Sequence, residues 1–205
     1  MSRIGRREPI EAVLLRRTPD GSVTDDTADY EAIVYDLDGT LVDLVVSWDE
    51  VAADAVEFFA DAGVDASGHD LWEMLDLADE RGLREELEAV VAGHERDGAT
   101  VSELLALAED VADHSVPVGV CSLNSEAAVR AALDAHSLSE HVDAVVGRDT
   151  VATRKPDPEP LLATLRELGV EPERALFVGD SRRDELTAER AGVDFRYVDG
   201  GPSGH

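Results

Sequence analysis

The sequence predicts an α/β domain in which helices cover both faces of a parallel β-sheet, with a helical insertion near its start. Two observations lead to this prediction. Short apolar runs alternate with segments of helical periodicity from Ala32 onward, and a long interval without a convincing strand separates the first two runs. Alternating strands and helices form right-handed βαβ units, which place their strands in a parallel sheet. A chain of 205 residues suffices for one domain with a small insertion, at about 100–200 residues per domain.

Five apolar runs have the length and composition of buried strands. They are Ala32 to Tyr35, Val118 to Cys121, Ala144 to Val146, Ala175 to Val178 and Phe195 to Val198. The segments between the later runs keep a helical spacing of apolar residues, and two of them are followed by Gly169 and Gly192. Glycine just past the last helical residue is the expected stop signal.

The interval 44–113 is predicted to be an inserted helical domain, which we call the cap because it could lie over the end of the sheet. Two apolar stripes with helical spacing support this interpretation. Ser47 with Glu50, and Thr100 with Glu103, have the spacing of capping boxes. The predicted joints between three or four helices are Gly63, Gly68, Gly82 and Gly98. Residues 30–43 and 114–205 then form the core domain.

Residues 1–29 differ in composition from the rest and are interpreted as an N-terminal extension of unknown role. A strand at 10–15 followed by the turn sequence 18–21, which contains Pro19 and Gly21, predicts a hairpin; a disordered segment is the alternative.

Composition excludes several classes of partner and site. The chain has 46 acidic and 18 basic residues, a formal net charge of -28, so we expect it to repel nucleic acids and anionic membranes. No stretch approaches 18 apolar residues, and no signal-peptide pattern follows the N-terminus, so a cytoplasmic location is expected. Cys121 is the single cysteine, which excludes an internal disulfide and a cysteine-built zinc site.

Lys155 is the only lysine beside 17 arginines. Drift towards arginine in a GC-rich genome explains this bias. The alternative is a proteome that avoids lysine, in which Lys155 is retained for its chemistry. The acidic excess favours a salt-loving source organism, since concentrated salt screens self-repulsion.

Polar clusters follow the predicted strands, and ligands of open α/β sheets bind outside the carboxyl ends of strands. Asp36 and Asp38 follow the first run closely enough to share a divalent cation, and carboxylates with retained waters suit Mg²⁺. Ser122 follows the second run at a strand-to-helix turn that could bind an anion. Lys155 lies in a loop stiffened by prolines, where its ammonium suits a phosphoryl group. Asp180 follows the fourth run.

Asp184 lies one helical turn beyond Asp180, and both are candidate metal ligands rather than mere helix caps. In order, the motifs are Asp36-x-Asp38-Gly-Thr, a serine after the second strand, Lys-Pro, and Gly-Asp180-x-x-x-Asp184. This set resembles the haloacid dehalogenase (HAD) superfamily, over residues 32–198. The resemblance implies a three-layer Rossmann-like fold with the helical cap of the phosphoglycolate phosphatase-like and β-phosphoglucomutase-like members.

The resemblance also implies the role of each site residue. Asp36 would be the nucleophile that forms an aspartyl-phosphate, and Asp38 the general acid and base, with its backbone carbonyl bound to Mg²⁺. Ser122 and Lys155 would hold the phosphoryl oxygens. Asp180 would bind Mg²⁺, supported by Asp184. The substrate would be a small phosphorylated metabolite. Apart from the resemblance, we expect a monomer or weak homodimer.

Alternatives within the family are separated by particular residues. Asp38 argues against dehalogenation, because a halide needs no proton, and a cap without lysine argues against phosphonate hydrolysis through a Schiff base. A β-phosphoglucomutase-like phosphotransferase keeps both features and stays open. A non-catalytic relative would be expected to lose a motif residue. Leu123 stands where the family often has asparagine, so direct substrate contact there is in doubt, with Asn124 one position later.

Overall fold

A five-stranded parallel sheet forms the centre of the computed structural model, which describes residues 29–198 and the backbone of 15–17 and 23–25. Strands are numbered β1 to β9 in chain order over the described residues. Those of the parallel sheet are β3 (Ala32–Tyr35), β6 (Val118–Cys121), β7 (Ala144–Val146), β8 (Ala175–Gly179) and β9 (Asp194–Tyr197). The spatial order is β7-β6-β3-β8-β9. β3 is therefore central, and the chain builds outward from it first on one side and then on the other.

Four short strands lie outside this sheet. β1 (Leu15–Arg17) pairs antiparallel with β2 (Val23–Asp25), and β4 (Val42–Asp43) pairs antiparallel with β5 (Glu103–Leu104). The β1–β2 pair agrees with the predicted hairpin in kind, but its first strand begins at Leu15, the last residue of the strand predicted at 10–15; residues 10–14 and the predicted turn at 18–21 lie outside the described residues. The β4–β5 pair joins the two connections between core and cap.

Helices cover both faces of the sheet. They are α4 (Glu126–Ala135), α5 (Glu159–Leu168) and α6 (Arg182–Ala191), with short 3₁₀ helices at Ala106–Asp113, Ser139–His141 and Pro172–Arg174. Successive residues of a strand point to opposite faces. Ile33 and Tyr35 accordingly pack with α4, while Val34 packs with α5 and α6. This confirms the predicted three-layer α/β fold.

Three further helices form the inserted region. They are α1 (Trp48–Asp61), α2 (Leu71–Arg81) and α3 (Arg84–Ala99). Their buried apolar faces make a core of their own, built from residues such as Phe59, Met74 and Leu87. The end of α3 also packs against α4, and the 3₁₀ helix that follows packs into the sheet's core. The boundaries at 44 and 113 stay a prediction.

Three details of the inserted region were predicted wrongly. Thr100 ends α3 and its hydroxyl donates to the carbonyl of Asp97, so Thr100 and Glu103 form no capping box; Glu103 lies in β5. Gly98 lies inside α3, where an added Cβ would meet the carbonyl of Val45 at 2.5 Å, so this glycine permits close packing rather than a joint. Ser47 does precede α1, but without a side-chain capping hydrogen bond.

Within the part of the chain that the structure describes, every helix is too short or too polar to cross a membrane.

Candidate active site

The candidate site lies at the carboxyl ends of the three inner strands. Asp36 follows β3, Ser122 follows β6, and Asp180 follows β8. The strand order reverses at β3, and such a reversal opens a crevice where ligands bind in α/β sheets. Parallel pairing of β3 with both neighbours puts these three positions side by side.

Lys155 reaches into this crevice from the loop before α5 and is 3% exposed. Its Nζ lies 2.9 Å from Oδ1 of Asp36 and 2.5 Å from Oδ1 of Asp184, and donates to the carbonyl of Cys121 at 3.1 Å. Burial lowers the pKa of Lys155, but the two carboxylates outweigh it and hold the pKa above its usual range. The ammonium is therefore charged and has a partner for each of its three donors.

Asp36 is nearly buried, and one of its oxygens is held from two directions. Oδ1 accepts the N–H of Leu37 at 2.8 Å and faces the ammonium of Lys155. Burial raises the pKa of Asp36 to about 7, while Lys155 opposes the rise and Asp184 adds to it. A further positive charge at this position would favour the ionised, nucleophilic form.

The carboxylates of Asp36, Asp180 and Asp184 form a cluster that could bind a cation. Each offers an oxygen within 4.8 Å of the others. Asp184 is held in place by Ser181, whose backbone N–H and hydroxyl donate to Oδ2 at 3.1 and 2.5 Å. Three carboxylates against one ammonium leave an excess of negative charge, and oxygen ligands of this kind fit Mg²⁺.

Gly39 allows Asp180 to reach the cluster. Its φ is +76°, and an added Cβ would lie 2.4 Å from Oδ2 of Asp180. The glycine of the Asp-x-Asp-Gly-Thr motif is thus needed both for its backbone conformation and for space.

Asp38 lies beside the cluster, and its side chain is not one of the three clustered carboxylates. Its Oδ1 accepts the N–H of Leu44 at 2.9 Å, at the first residue of the predicted cap. This contact leaves Asp38 half-buried at the junction between core and inserted region, where an acid and base could reach a bound substrate.

Ser122 begins a tight loop between β6 and α4. Its hydroxyl donates to Oδ1 of Asn124 at 3.0 Å and accepts the N–H of Asn124 at 3.1 Å. Asn124 is buried, so it positions Ser122 although it stands one place later than the family pattern. Sequence reasoning left its role in doubt; only the local fold shows the contact.

Trp72 of α2 is one of the side chains of the inserted helices that reach the core, and the sequence did not single it out. The guanidinium carbons of Arg154 and Arg183 lie 5.8 and 4.7 Å from the centre of its ring. Arg154 also pairs with Asp76 of α2. These arginines directly precede Lys155 and Asp184, so the inserted helices contact the rim of the site. The one feature of the sequence that could have drawn attention to Trp72 is that the chain has only two tryptophans.

A sequence profile of the haloacid dehalogenase-like hydrolases matches residues 33–198. The chain belongs to this family. Phosphoglycolate phosphatase of Mesorhizobium japonicum is 34% identical over 82% of this chain and 84% of its own. The match to that of Rhodospirillum rubrum is 43% identical but spans 58% of this chain and only 51% of the relative.

Solved structures share the fold. The structure of CbbY from Rhodobacter sphaeroides in complex with phosphate has a TM-score of 0.61 at 26% identity, and covers 86% of this chain and 89% of its own. A hydrolase of the family from Geobacter sulfurreducens has a TM-score of 0.55 at 30% identity, with 81% and 88% covered. The hydrolase family expected from the motifs is thereby confirmed.

Proposed function

We propose that this haloacid dehalogenase-like hydrolase is a Mg²⁺-dependent phosphatase of a small phosphorylated metabolite. The observation that carries the proposal is the contact of one buried ammonium, on Lys155, with both Asp36 and Asp184. That arrangement combines a buried carboxylate nucleophile, a phosphate-binding cation and an acidic cation site in one crevice. Relatives named as phosphoglycolate phosphatases support the reaction class.

In the first step, a carboxylate oxygen of Asp36 attacks phosphorus and the bond to the ester oxygen breaks. Lys155 and the N–H of Leu37 orient Asp36 through Oδ1. Asp38 gives its proton to the leaving oxygen, so the alcohol departs neutral. Ser122 and Lys155 hold the phosphoryl oxygens while their charge is redistributed.

In the second step, water hydrolyses the aspartyl-phosphate. Asp38, now a carboxylate, takes a proton from the water as it attacks phosphorus, and the bond between phosphorus and Asp36 breaks. Inorganic phosphate leaves and Asp36 is restored. Division of one difficult displacement into two easier ones is the general advantage of a covalent intermediate.

Asp36, Asp180 and Asp184 would hold Mg²⁺, with Asp38 contributing its backbone carbonyl. When bound, the ion supplies positive charge that offsets the repulsion between a carboxylate and a phosphate dianion. The role of each residue and the identity of the metal are parts of this proposal.

The substrate class follows from size and charge. Trp72 of the inserted helices contacts Arg154 and Arg183 at the rim of the site, and a site bordered in this way suits a small molecule. Two arginines near the rim of a chain with net charge -28 would attract an anion locally. A phosphoglycolate- or sugar-phosphate-like metabolite fits these features. We further propose a cytoplasmic monomer or weak homodimer in which residues 44–113 form the cap.

Release of phosphate from p-nitrophenyl phosphate with Mg²⁺ tests the reaction class. The wild type should turn over and Asp36→Asn should not, whereas Asp61→Asn, an exposed substitution on α1, should match the wild type. If the wild type hydrolyses neither p-nitrophenyl phosphate nor any phosphorylated metabolite, the non-catalytic alternative is favoured. Conversion of a sugar phosphate to its isomer without net phosphate release would favour the phosphomutase alternative.

A further inference from the structure

A buried ionic cluster joins α3 to the loop after β7. Glu88 and Glu95 lie seven residues apart on α3, and both face Arg148, which is 2% exposed. Arg148 Nη1 lies 2.5 Å from Oε1 of Glu95, and its Nη2 lies 2.7 Å from Oε2 of Glu88. Its Nε donates to both oxygens of Glu88, at 3.1 and 2.9 Å. Arg84 adds a second positive charge, 3.4 Å from Glu88.

The same cluster holds two successive peptide groups of the loop that follows Ser122. Arg148 Nη1 donates to the carbonyl of Leu123 at 2.8 Å, and its backbone N–H donates to the carbonyl of Asn124 at 2.8 Å. Glu95 Oε2 accepts the N–H of Ser125 at 2.9 Å. The loop is thus held by one residue of the core and one of the inserted helices.

Gly147 makes this arrangement possible. A Cβ at Gly147 would lie 2.2 Å from the backbone nitrogen of Glu126, an impossible distance that only displacement of the backbone could relieve. The close approach brings the backbone of Arg148 within hydrogen-bonding distance of the loop. The loop after β7 and the 122–125 loop are therefore packed together by backbone contacts, in addition to the contact of the guanidinium.

Charge neutralisation alone does not account for the contacts of Arg148. A buried lysine would supply the same single positive charge, but its one nitrogen could not contact Glu88, Glu95 and the carbonyl of Leu123 in the directions that the planar guanidinium reaches. The fork shape matters because different nitrogens serve different acceptors: Nε and Nη2 contact Glu88, while Nη1 contacts Glu95 and the carbonyl of Leu123.

We propose that Arg148 and Glu95 are positioning residues that fix the 122–125 loop in its phosphate-binding conformation, and that they couple it to α3 of the inserted region. This inference rests on the proposed function, in which Ser122 binds the phosphoryl group. Neither residue touches the substrate. They act through the loop, so that displacement of α3 away from the core displaces the groups that bind phosphate.

Arg148→Lys and Glu95→Gln test the proposal. Arg148→Lys keeps the charge and Glu95→Gln keeps the side-chain size, which favours folding, but the lysine lacks the guanidinium fork and the amide lacks the negative charge that faces Arg148. Matched controls are Arg130→Lys on α4 and Glu86→Gln on α3, both exposed. The measurements are hydrogen exchange of peptides covering 122–128, kcat and KM for p-nitrophenyl phosphate, and inhibition by inorganic phosphate. Thermal melting identifies the range in which every variant is folded.

We expect exchange at 122–128 to rise in both test variants, kcat to fall by about ten-fold or more, and inhibition by phosphate to weaken, because small displacements of binding groups are costly in rate. The control variants should match the wild type. Unchanged exchange at 122–128 in Arg148→Lys and Glu95→Gln would overturn the proposal, as would faster exchange with unchanged kcat and phosphate inhibition. Should the wild type hydrolyse no phosphate ester, the proposed function fails, and exchange alone decides whether the cluster holds the loop.

Discussion

The Nζ atom of Lys155 lies 2.9 Å from Oδ1 of Asp36, so the only lysine of the chain contacts the first carboxylate of the acidic cluster. Its other donors are directed to Asp184 and to the carbonyl of Cys121. Three convergent acceptors around one buried nitrogen suit an ammonium group. A planar guanidinium is larger and directs its donors outward along a fork.

Lys155→Arg should therefore lose most of its activity although the charge is kept. We expect kcat for p-nitrophenyl phosphate to fall by about 10²-fold or more, as for other losses of a preorganised electrostatic contact. Arg166→Lys, an exposed change on α5, is the control and should be neutral. Wild-type activity in Lys155→Arg would mean that retention of lysine is accidental.

Asp36→Asn should abolish turnover and leave the fold intact, because an amide is not a nucleophile. Asp38→Asn should slow both steps by about 10²-fold or more, the usual scale for general acid–base catalysis. Mass spectrometry of protein quenched during turnover should detect the phosphoryl adduct in the wild type and not in Asp36→Asn. Turnover at the wild-type rate by Asp36→Asn would contradict the proposed mechanism.

Removal of Mg²⁺ should abolish activity, and its return should restore it. Because the ion binds the folded state, millimolar Mg²⁺ should also raise the melting temperature of the wild type. Asp180→Asn should weaken both effects by removing one of the three clustered charges. The control, Asp61→Asn, should respond as the wild type does. A melting temperature unaffected by Mg²⁺ at concentrations that support turnover would argue against this site.

Gly39→Ala should disturb the site more than its backbone strain alone explains. Gly169→Ala is a matched control, since its φ is +71° against +76° and its added Cβ has open space, whereas that of Gly39 meets Asp180. We expect Gly169→Ala to cost about 1–2 kcal/mol of unfolding free energy and no activity. Gly39→Ala should cost more and also weaken Mg²⁺ binding. Equal effects of the two substitutions would show that Asp180 moves away freely.

The hypothesis of a salt-loving source organism predicts that stability rises with salt concentration. The net charge of -28 produces strong self-repulsion, and the Debye length falls from about 10 Å at 0.1 M to about 3 Å at 1 M. A gain of about 3 kcal/mol would raise the melting temperature by roughly 10 °C in a chain of this size. Thermal unfolding followed by circular dichroism from 0.1 to 3 M KCl measures this.

Sucrose at matched osmolality is the control for the salt series, because it is excluded from protein surfaces but does not screen charge. A melting temperature that stays flat or falls with KCl would contradict the halophile hypothesis.

The sequence by itself determined the sheet and its covering helices. The first three strands of the parallel sheet begin and end where the apolar runs do, at Ala32, Val118 and Ala144, and the helices α5 and α6 end before the predicted glycines. These features depend on local periodicity and backbone conformation, which adjacent residues encode. The candidate site residues could also be predicted, because the carboxyl ends of parallel strands lie at the same edge of the sheet.

Only the tertiary structure decided how distant residues meet. Three contacts each join segments at least 50 residues apart. They are the β4–β5 pair, the packing of Trp72 against Arg154 and Arg183, and the ion pair of Arg148 with Glu95. Thr100 is a further example. The spacing of Thr100 and Glu103 fits the start of a helix, but in the folded chain Thr100 stands at the end of α3. Contacts of this kind depend on which surfaces of distant helices, strands and loops pack together on folding. The local pattern of residues within one element does not specify which other element it will contact.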